Sequence, residues 1–211
     1  MLEKVLGNLR WLGHDGFCLT HGGKVIYFDP FRLKGTLEPA DLILISHEHF
    51  DHCSPEDVAK IQKQETVIVT EPLAARKLTG DVRVLAPGEQ LEVSGITVEA
   101  YPAYNLDKDF HPAANRWLSF VVTVEGVRIF HAGDTDRIPE MKGLEVDIAL
   151  LPVSGTYVMT AEEAAQAALD INPKVALPMH FDSIVGSRKD AERFRDLLAG
   201  KIRVVIPEEA A

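Results

Sequence analysis

Asp41-Leu42-Ile43-Leu44-Ile45-Ser46-His47-Glu48-His49-Phe50-Asp51-His52 is the segment on which the reading of this chain turns. Its apolar run, Leu42 to Ile45, reads as a buried strand. Directly after it, His47, His49, Asp51 and His52 place three imidazoles and a carboxylate within one hexapeptide. Ser54 then reads as an N-cap and Pro55 as the start of a helix. The candidate ligands therefore lie on a loop at the C-terminal end of a strand, where α/β architectures place chemistry. In extended backbone alternate side chains point the same way, so His47 and His49 can share one metal ion. A turn at Asp51 and His52 can offer those two to a second ion. The chain has eight histidines in 211 residues and three of them fall here, which makes a merely polar loop the weaker reading. Imidazole and carboxylate suit zinc first, with manganese or iron as alternatives.

Composition sets the frame around this loop. A chain of 211 residues, 46% of them apolar, is long enough for a sizeable core. It shows no linker, low-complexity tract or internal repeat, and reads as one domain over residues 1–211. No apolar stretch approaches the roughly 20 residues of a membrane span, and the start lacks the apolar region of a signal peptide. A cytoplasmic protein is expected. Its two cysteines, Cys18 and Cys53, fit a reducing compartment better than a disulfide framework; Cys18 reads as core, and Cys53 as a small buried hydrophobe. A formal net charge of −10 opposes binding of long nucleic acids, which need a basic footprint.

Strands are predicted over Leu9–Leu12, Phe17–Thr20, Lys24–Asp29, Asp41–Ser46, Thr66–Thr70, Val82–Leu85, Gln90–Val93 and Ile96–Tyr101. Further strands are predicted at Ser119–Val124, Val127–Phe130, Asp147–Leu151, Val175–Pro178 and Arg203–Ile206. Glu125-Gly126 and Ser94-Gly95 read as hairpin turns, and His21-Gly22-Gly23 as a turn with a solvated His21. Helices are predicted over Pro55–Gln62, Leu73–Lys77, a segment capped by Thr160 that runs to about Asp170, and Asp190–Ala199. Glu163 completes a capping box with Thr160. Hairpins mixed with helices indicate two sheets covered by helices, an α+β chain.

The pattern His47-x-His49-x-Asp51-His52 after a hydrophobic strand resembles the signature of the metallo-β-lactamase superfamily. Phe130-His131-Ala132-Gly133-Asp134-Thr135 resembles its strand-then-Gly-Asp element, and Leu177-Pro178-Met179-His180 its final strand and last histidine. Gly13-His14-Asp15-Gly16-Phe17 and Phe28-Asp29-Pro30 resemble a subgroup of metal-dependent hydrolases that includes relatives of ascorbate-6-phosphate lactonase. The resemblance implies a four-layer αββα sandwich and a metal-dependent hydrolase. It implies a first metal on His47 and His49, a second on Asp51, His52 and His180, and Asp134 bridging them. Two such ions would share a hydroxide that attacks a carbonyl or phosphorus centre. Asp51 would also handle protons.

The third histidine of the first metal does not transfer cleanly. His111 is the only histidine in the interval where the family keeps it, while Asn105 lies nearer the family's position. His111 is the favoured ligand, with Asn105 or a water as alternatives. His14 stands between a turn residue and a substrate or proton-transfer role, and is taken as catalytic with Asp51. Asp29 reads either as a turn aspartate or as the acceptor of a ligand histidine's second N–H. His131 reads as a packed core histidine, Asp107-Lys108-Asp109 as a solvated charge cluster, and Thr156 or Tyr157 as loop residues at the pocket.

The expected activity is hydrolysis of a small, anionic ester, lactone, thioester or phosphodiester. A nuclease or phosphodiesterase, and a metal-binding protein without turnover, are the competing readings. Oligomeric state is not legible in the sequence.

Overall fold

The computed structural model describes residues 1–210. A short helix, α1 (Leu2–Gly7), precedes the first sheet. That sheet runs in sequence order: β1 (Leu9–Gly13), β2 (Gly16–His21), β3 (Lys24–Phe28), β4 (Leu42–Leu44), β5 (Val67–Thr70) and β6 (Asp81–Val84). β1 to β3 are antiparallel, and β3 to β6 are parallel.

Alternation along these strands explains why the sheet must be covered on both faces. Phe17, Leu19, Ile26, Phe28, Leu42 and Leu44 enter the large core. Their neighbours Cys18, Tyr27 and Ile43 enter a separate apolar cluster on the other face. Two helices close that cluster, α2 (Pro55–Ile61) with Val58 and Ile61, and α3 (Pro72–Ala75) with Ala74. Ser54 caps α2 by accepting from the Asp57 N–H, and Pro55 stands at its first turn.

The second sheet contains β7 (Gln90–Val93), β8 (Ile96–Ala103), β9 (Trp117–Val124), β10 (Val127–His131), β11 (Ile148–Pro152), β12 (Val175–Met179) and β13 (Arg203–Val204). Its strands also lie in sequence order. The first four are antiparallel, and β10 to β13 are parallel. Val98, Ala100, Leu118, Phe120 and Val122 share the large core with the first sheet. α4 (Ala161–Ile171) and α5 (Arg188–Leu197) pack on this sheet with small and aromatic side chains, among them Ala164, Ala168 and Phe194. The Thr160–Glu163 capping box starts α4. The result is two mixed sheets flanked by helices, the expected α+β sandwich. No helix among the described residues is long and apolar enough to cross a membrane.

Some local expectations need correction. α1 was not foreseen, because six residues carry too little periodicity to register. The predicted strand Asp41–Ser46 is shorter, Leu42–Leu44; Ile45 N still donates to Val69 O at 3.0 Å, and Ser46 lies beyond the strand. The strand predicted at Arg203–Ile206 keeps only its first two residues. His21 is not solvated. It is 3% exposed and holds Glu125 Oε2 at 2.9 Å, tying the β2–β3 turn to the β9–β10 turn. Lys108 is not part of a solvated cluster either: it lies 2.6 Å from the buried Asp136 carboxylate.

Both sheets send their parallel strands' C-terminal ends to one rim. The loop after β4, the turns after β10 and β12, and the long connection after β8 meet there. A hydrogen bond from Leu118 N to Ser46 O, 3.0 Å, ties the first sheet's loop to the second sheet.

Candidate metal centre

Leaving β4, the backbone passes Ser46 and turns tightly, with His52 N and Cys53 N both donating to His49 O at 3.0 and 2.8 Å. This turn presents His47, His49, Asp51 and His52 on one side. His111 arrives from the connection after β8, Asp134 from the turn after β10, and His180 from the end of β12. Gly133 lets Asp134 come this close. Its φ is +58°, and a Cβ there would stand 2.9 Å from Ser46 Cβ and 3.1 Å from Leu118 O.

The donor atoms fall into two adjacent groups. Those of His47, His49 and His111 lie within 4.8 Å of one another, and so do those of His14, His52 and His180. Asp134 stands between the groups. Its Oδ2 is 3.1 Å from His111 Nε2, and its Oδ1 is 3.3 Å from both His52 Nε2 and His180 Nε2. Asp51 Oδ2 lies 3.9 Å from His52 Nε2. The structure thus brings His111 to the six residues that the family resemblance implies, although His14, and not Asp51, shares the close donor group with His52 and His180.

The tautomers follow from what holds each ring. His52 Nδ1 donates to Asp29 Oδ2 at 2.8 Å, and His47 Nδ1 to Ser46 Oγ at 2.9 Å, which passes its own proton to Asp29 at 2.6 Å. His180 Nδ1 donates to Ser154 Oγ at 2.9 Å. His111 Nδ1 faces two acceptors, Asn105 Oδ1 at 3.0 Å and Tyr157 O at 3.2 Å. These contacts occupy Nδ1 of all four rings and aim Nε2 inward, the atom that would bind a cation once free of its proton. Asn105 turns its amide into His111, Asp136 and Tyr157, so it positions the imidazole instead of replacing it.

Several inward atoms have no protein partner. His52 Nε2, His111 Nε2, His180 Nε2 and Asp134 Oδ1 are buried and unpaired. Buried polar atoms ordinarily have partners, and cations in the two donor groups would supply them. The residues present fit a metal centre.

Charge states in the metal-free centre differ between the rings. Burial disfavours the charged form of His52 and His180, but Asp134 outweighs it and raises both above their ordinary range, so a cation would displace a proton from each. Burial holds the His47 imidazole well below its ordinary range, and nearby His52 adds to this. Burial opposes ionisation of Asp51, yet the bond to His14 and the proximity of His52 outweigh it and hold the carboxyl at about 2. Asp134 is buried more deeply, but His52 and His180 hold it well below the usual carboxylate range. His14 Nε2 lies 3.1 Å from Asp51 Oδ2, which places this turn histidine in the centre. His131 is a core histidine, stacked on Phe28 and bonded through Nε2 to Asp15 O at 2.8 Å.

Three contributors escaped the sequence reading: Ser46, Ser154 and above all Asp15. Asp15 is fully buried between the Asp29–His52 pair and the Asp134–His180 pair, and neither carboxylate oxygen has a hydrogen-bond partner. Burial pushes its carboxyl well above the usual range, and His180 does not compensate. Its adjacency to His14 was the available signal. Over the cluster opens a cavity of about 460 Å³, floored by His49, Asp51, His111 and Asp134.

Comparison with known proteins agrees with this geometry. Residues 8–180 match the model of a β-lactamase superfamily domain. A UPF0173 metal-dependent hydrolase of Thermoplasma acidophilum is 36% identical, with 94% of each chain covered. One from Pyrococcus abyssi is 31% identical over 94% of this chain and 95% of its own. A crystal structure of a protein from Parabacteroides distasonis superposes with a TM-score of 0.86 at 34% identity, over 96% of this chain and 93% of that one. A metallo hydrolase of Ignicoccus hospitalis shares the fold, with a TM-score of 0.77 at 24% identity over 96% and 95%. The chain belongs to the β-lactamase superfamily and, within it, to the UPF0173 family of metal-dependent hydrolases.

Proposed function

We propose that this enzyme hydrolyses a small ester, lactone, thioester or phosphodiester at a pair of divalent ions, zinc foremost, with manganese or iron as alternatives. The observation that carries this is Asp134, whose two oxygens divide between two groups of imidazoles with inward-facing Nε2 atoms. His47, His49 and His111 would hold the first ion, and Asp51, His52 and His180 the second. Bound there, the ions would polarise the substrate's oxygen and acidify a water.

The chain's own groups do the rest. Asp29, Ser46, Asn105 and Ser154 fix the tautomers, so that no ring rotates away when a substrate enters. His14 steadies Asp51 and exchanges a proton with it through Nε2. With ions held there, the floor would attract the electron-rich end of a small molecule, anionic substrates included, even though the whole chain is acidic. A lactone of the kind opened by ascorbate-6-phosphate lactonase falls within this chemistry. The free cysteines suit a reducing cytoplasm.

The test combines metal analysis with a substrate screen. Asp134→Asn should lose at least one equivalent of metal and nearly all hydrolysis, because an amide is neutral and offers one good ligand oxygen. Full metal content with full activity in that variant would refute the bridging role.

A further inference from the structure

The walls of the cavity differ in character from its floor. Large apolar side chains are mostly buried in this protein, and the exposed ones are few. Four of them, Phe50, Phe110, Tyr157 and Ile184, line this one cavity, at exposures of 66%, 53%, 37% and 37%. They come from four separate loops. Phe110 and Tyr157 pack edge to face with centroids 4.6 Å apart, and Phe50 meets Phe31 at 5.8 Å. Single exposed hydrophobes need no explanation, but four converging over a cluster of candidate ligands form an apolar patch of the kind that marks a binding site.

Basic side chains are missing from this lining: it includes no lysine or arginine. On the adjoining loop Lys108 is engaged by Asp136 and Asp107, and beside the hexapeptide Lys77 is engaged by Glu48. A phosphorylated substrate would therefore find no side-chain cation on the walls. Any anionic group would have to sit on the metal floor, where the reaction occurs.

We infer that the substrate is an uncharged carboxylic ester, lactone or thioester bearing an apolar acyl group of about four to eight carbons, held against Phe50, Phe110, Tyr157 and Ile184. A cavity of about 460 Å³ is in the range of small-ligand sites and accommodates such a chain. The reaction itself rests on the hydrolase reading above; the recognition rests on the walls alone. Water adds to the acyl carbon and the C–O or C–S bond to the leaving group breaks; one of the water's protons leaves on the alcohol or thiol, and the other is released to solvent as the acid ionises. The product is a carboxylate, whose charge would be offset by the ions that the floor residues would hold, while its tail stays on the apolar walls.

The experiment has a binding arm and a turnover arm, both on zinc-loaded protein. Acetate, butyrate, hexanoate and octanoate, as product-like probes, are titrated calorimetrically. Each fully buried methylene favours binding by about fourfold, so octanoate, with four more methylenes than butyrate, should bind more tightly by about tenfold if they are partly buried and by up to about 250-fold if fully buried. Phe110→Ala and Phe50→Ala should remove most of that gain while leaving zinc content and acetate affinity unchanged. In the turnover arm, kcat/KM for the matching p-nitrophenyl esters should rise in parallel.

A flat dependence on chain length, or a gain that survives both substitutions, would overturn the inference. So would a dimer that dissociates on Phe110→Ser without any chain-length effect, since the patch would then belong to a second copy. Hydrolysis without chain-length dependence sinks the apolar recognition and leaves the hydrolase standing. Chain-length-dependent binding without hydrolysis of any ester sinks the proposed reaction and leaves the apolar site.

Discussion

Asn105 and Asp29 do the same work for different rings. Each accepts an Nδ1 proton, and each leaves Nε2 facing Asp134. Removing such a partner leaves the ligand in place but frees its orientation, which typically weakens metal binding 10–100-fold. Asn105→Ala should therefore weaken zinc at the first site by about that factor. His111→Ala should weaken it at least as much, and the double variant should match His111→Ala, since Asn105 acts through the imidazole. Chelator competition measures all three. Fully additive losses would mean that Asn105 contributes independently of His111. Cys18 and Cys53 make a second case. Both are buried, and burial holds the Cys53 thiol at about 11, so on the order of one molecule in a thousand carries its thiolate at pH 8. Neither should react with a disulfide reagent in the native protein, and both should react in denaturant. Rapid labelling of the folded chain would show that this apolar layer opens.

Elements differ in what a single change does to them. Thr160 satisfies the start of α4 and is far in role from the metal centre; Thr160→Ala should lower stability by about 1 kcal/mol and leave zinc affinity unchanged. Gly133 ends β10 with a left-handed residue against Ser46 and Leu118. Gly133→Ala should both destabilise the fold, by about 1–3 kcal/mol, and weaken zinc binding, because relief of the clash displaces Asp134. Denaturant unfolding of zinc-free protein reads the first effect, and chelator competition reads the second. Equal metal affinity in the Gly133 and wild-type chains would show that the turn has room the geometry denies.

Over the entire chain, charge and burial set the response to pH and to partners. Cys18, Tyr27 and Cys53 share the apolar layer on the outer face of the first sheet, and burial raises the pKa of each. A group that holds its proton more tightly when folded contributes its full stability below its unfolded pKa, and loses it as pH rises towards the folded value. For the thiols that window opens near the ordinary cysteine pKa of about 8.5 and extends to about 11 for Cys53. Melting temperature should therefore be level up to pH 8 and fall by pH 10.5, with a shallower fall in Cys53→Ala. An equal slope in that variant would assign the loss to other groups. The net charge of −10 should keep single-stranded RNA and duplex DNA from binding below micromolar concentration at physiological salt. Filter binding tests this, and submicromolar binding would move a nuclease activity ahead of the small-molecule reading.

The superfamily and most of the strands were legible in the residue order alone. Those features are local: a four-residue apolar run forms a strand wherever it is buried, and a hexapeptide rich in ligands keeps its spacing in any fold. Antiparallel neighbours and the capping box could be read for the same reason. The pairing of Asn105 with His111, the burial of His21, the ion pair of Lys108 with Asp136, and the isolation of Asp15 were not. Each depends on groups far apart in sequence, as with His21 and Glu125, or on a depth of burial that no short window records. Choosing between His111 and Asn105 required the loop's path, because only the folded connection shows which side chain faces Asp134 and which one faces away. The apolar walls over the metal floor belong to the same class: Phe50, Phe110, Tyr157 and Ile184 are unremarkable singly, and become one surface only when four loops meet at the rim of two sheets.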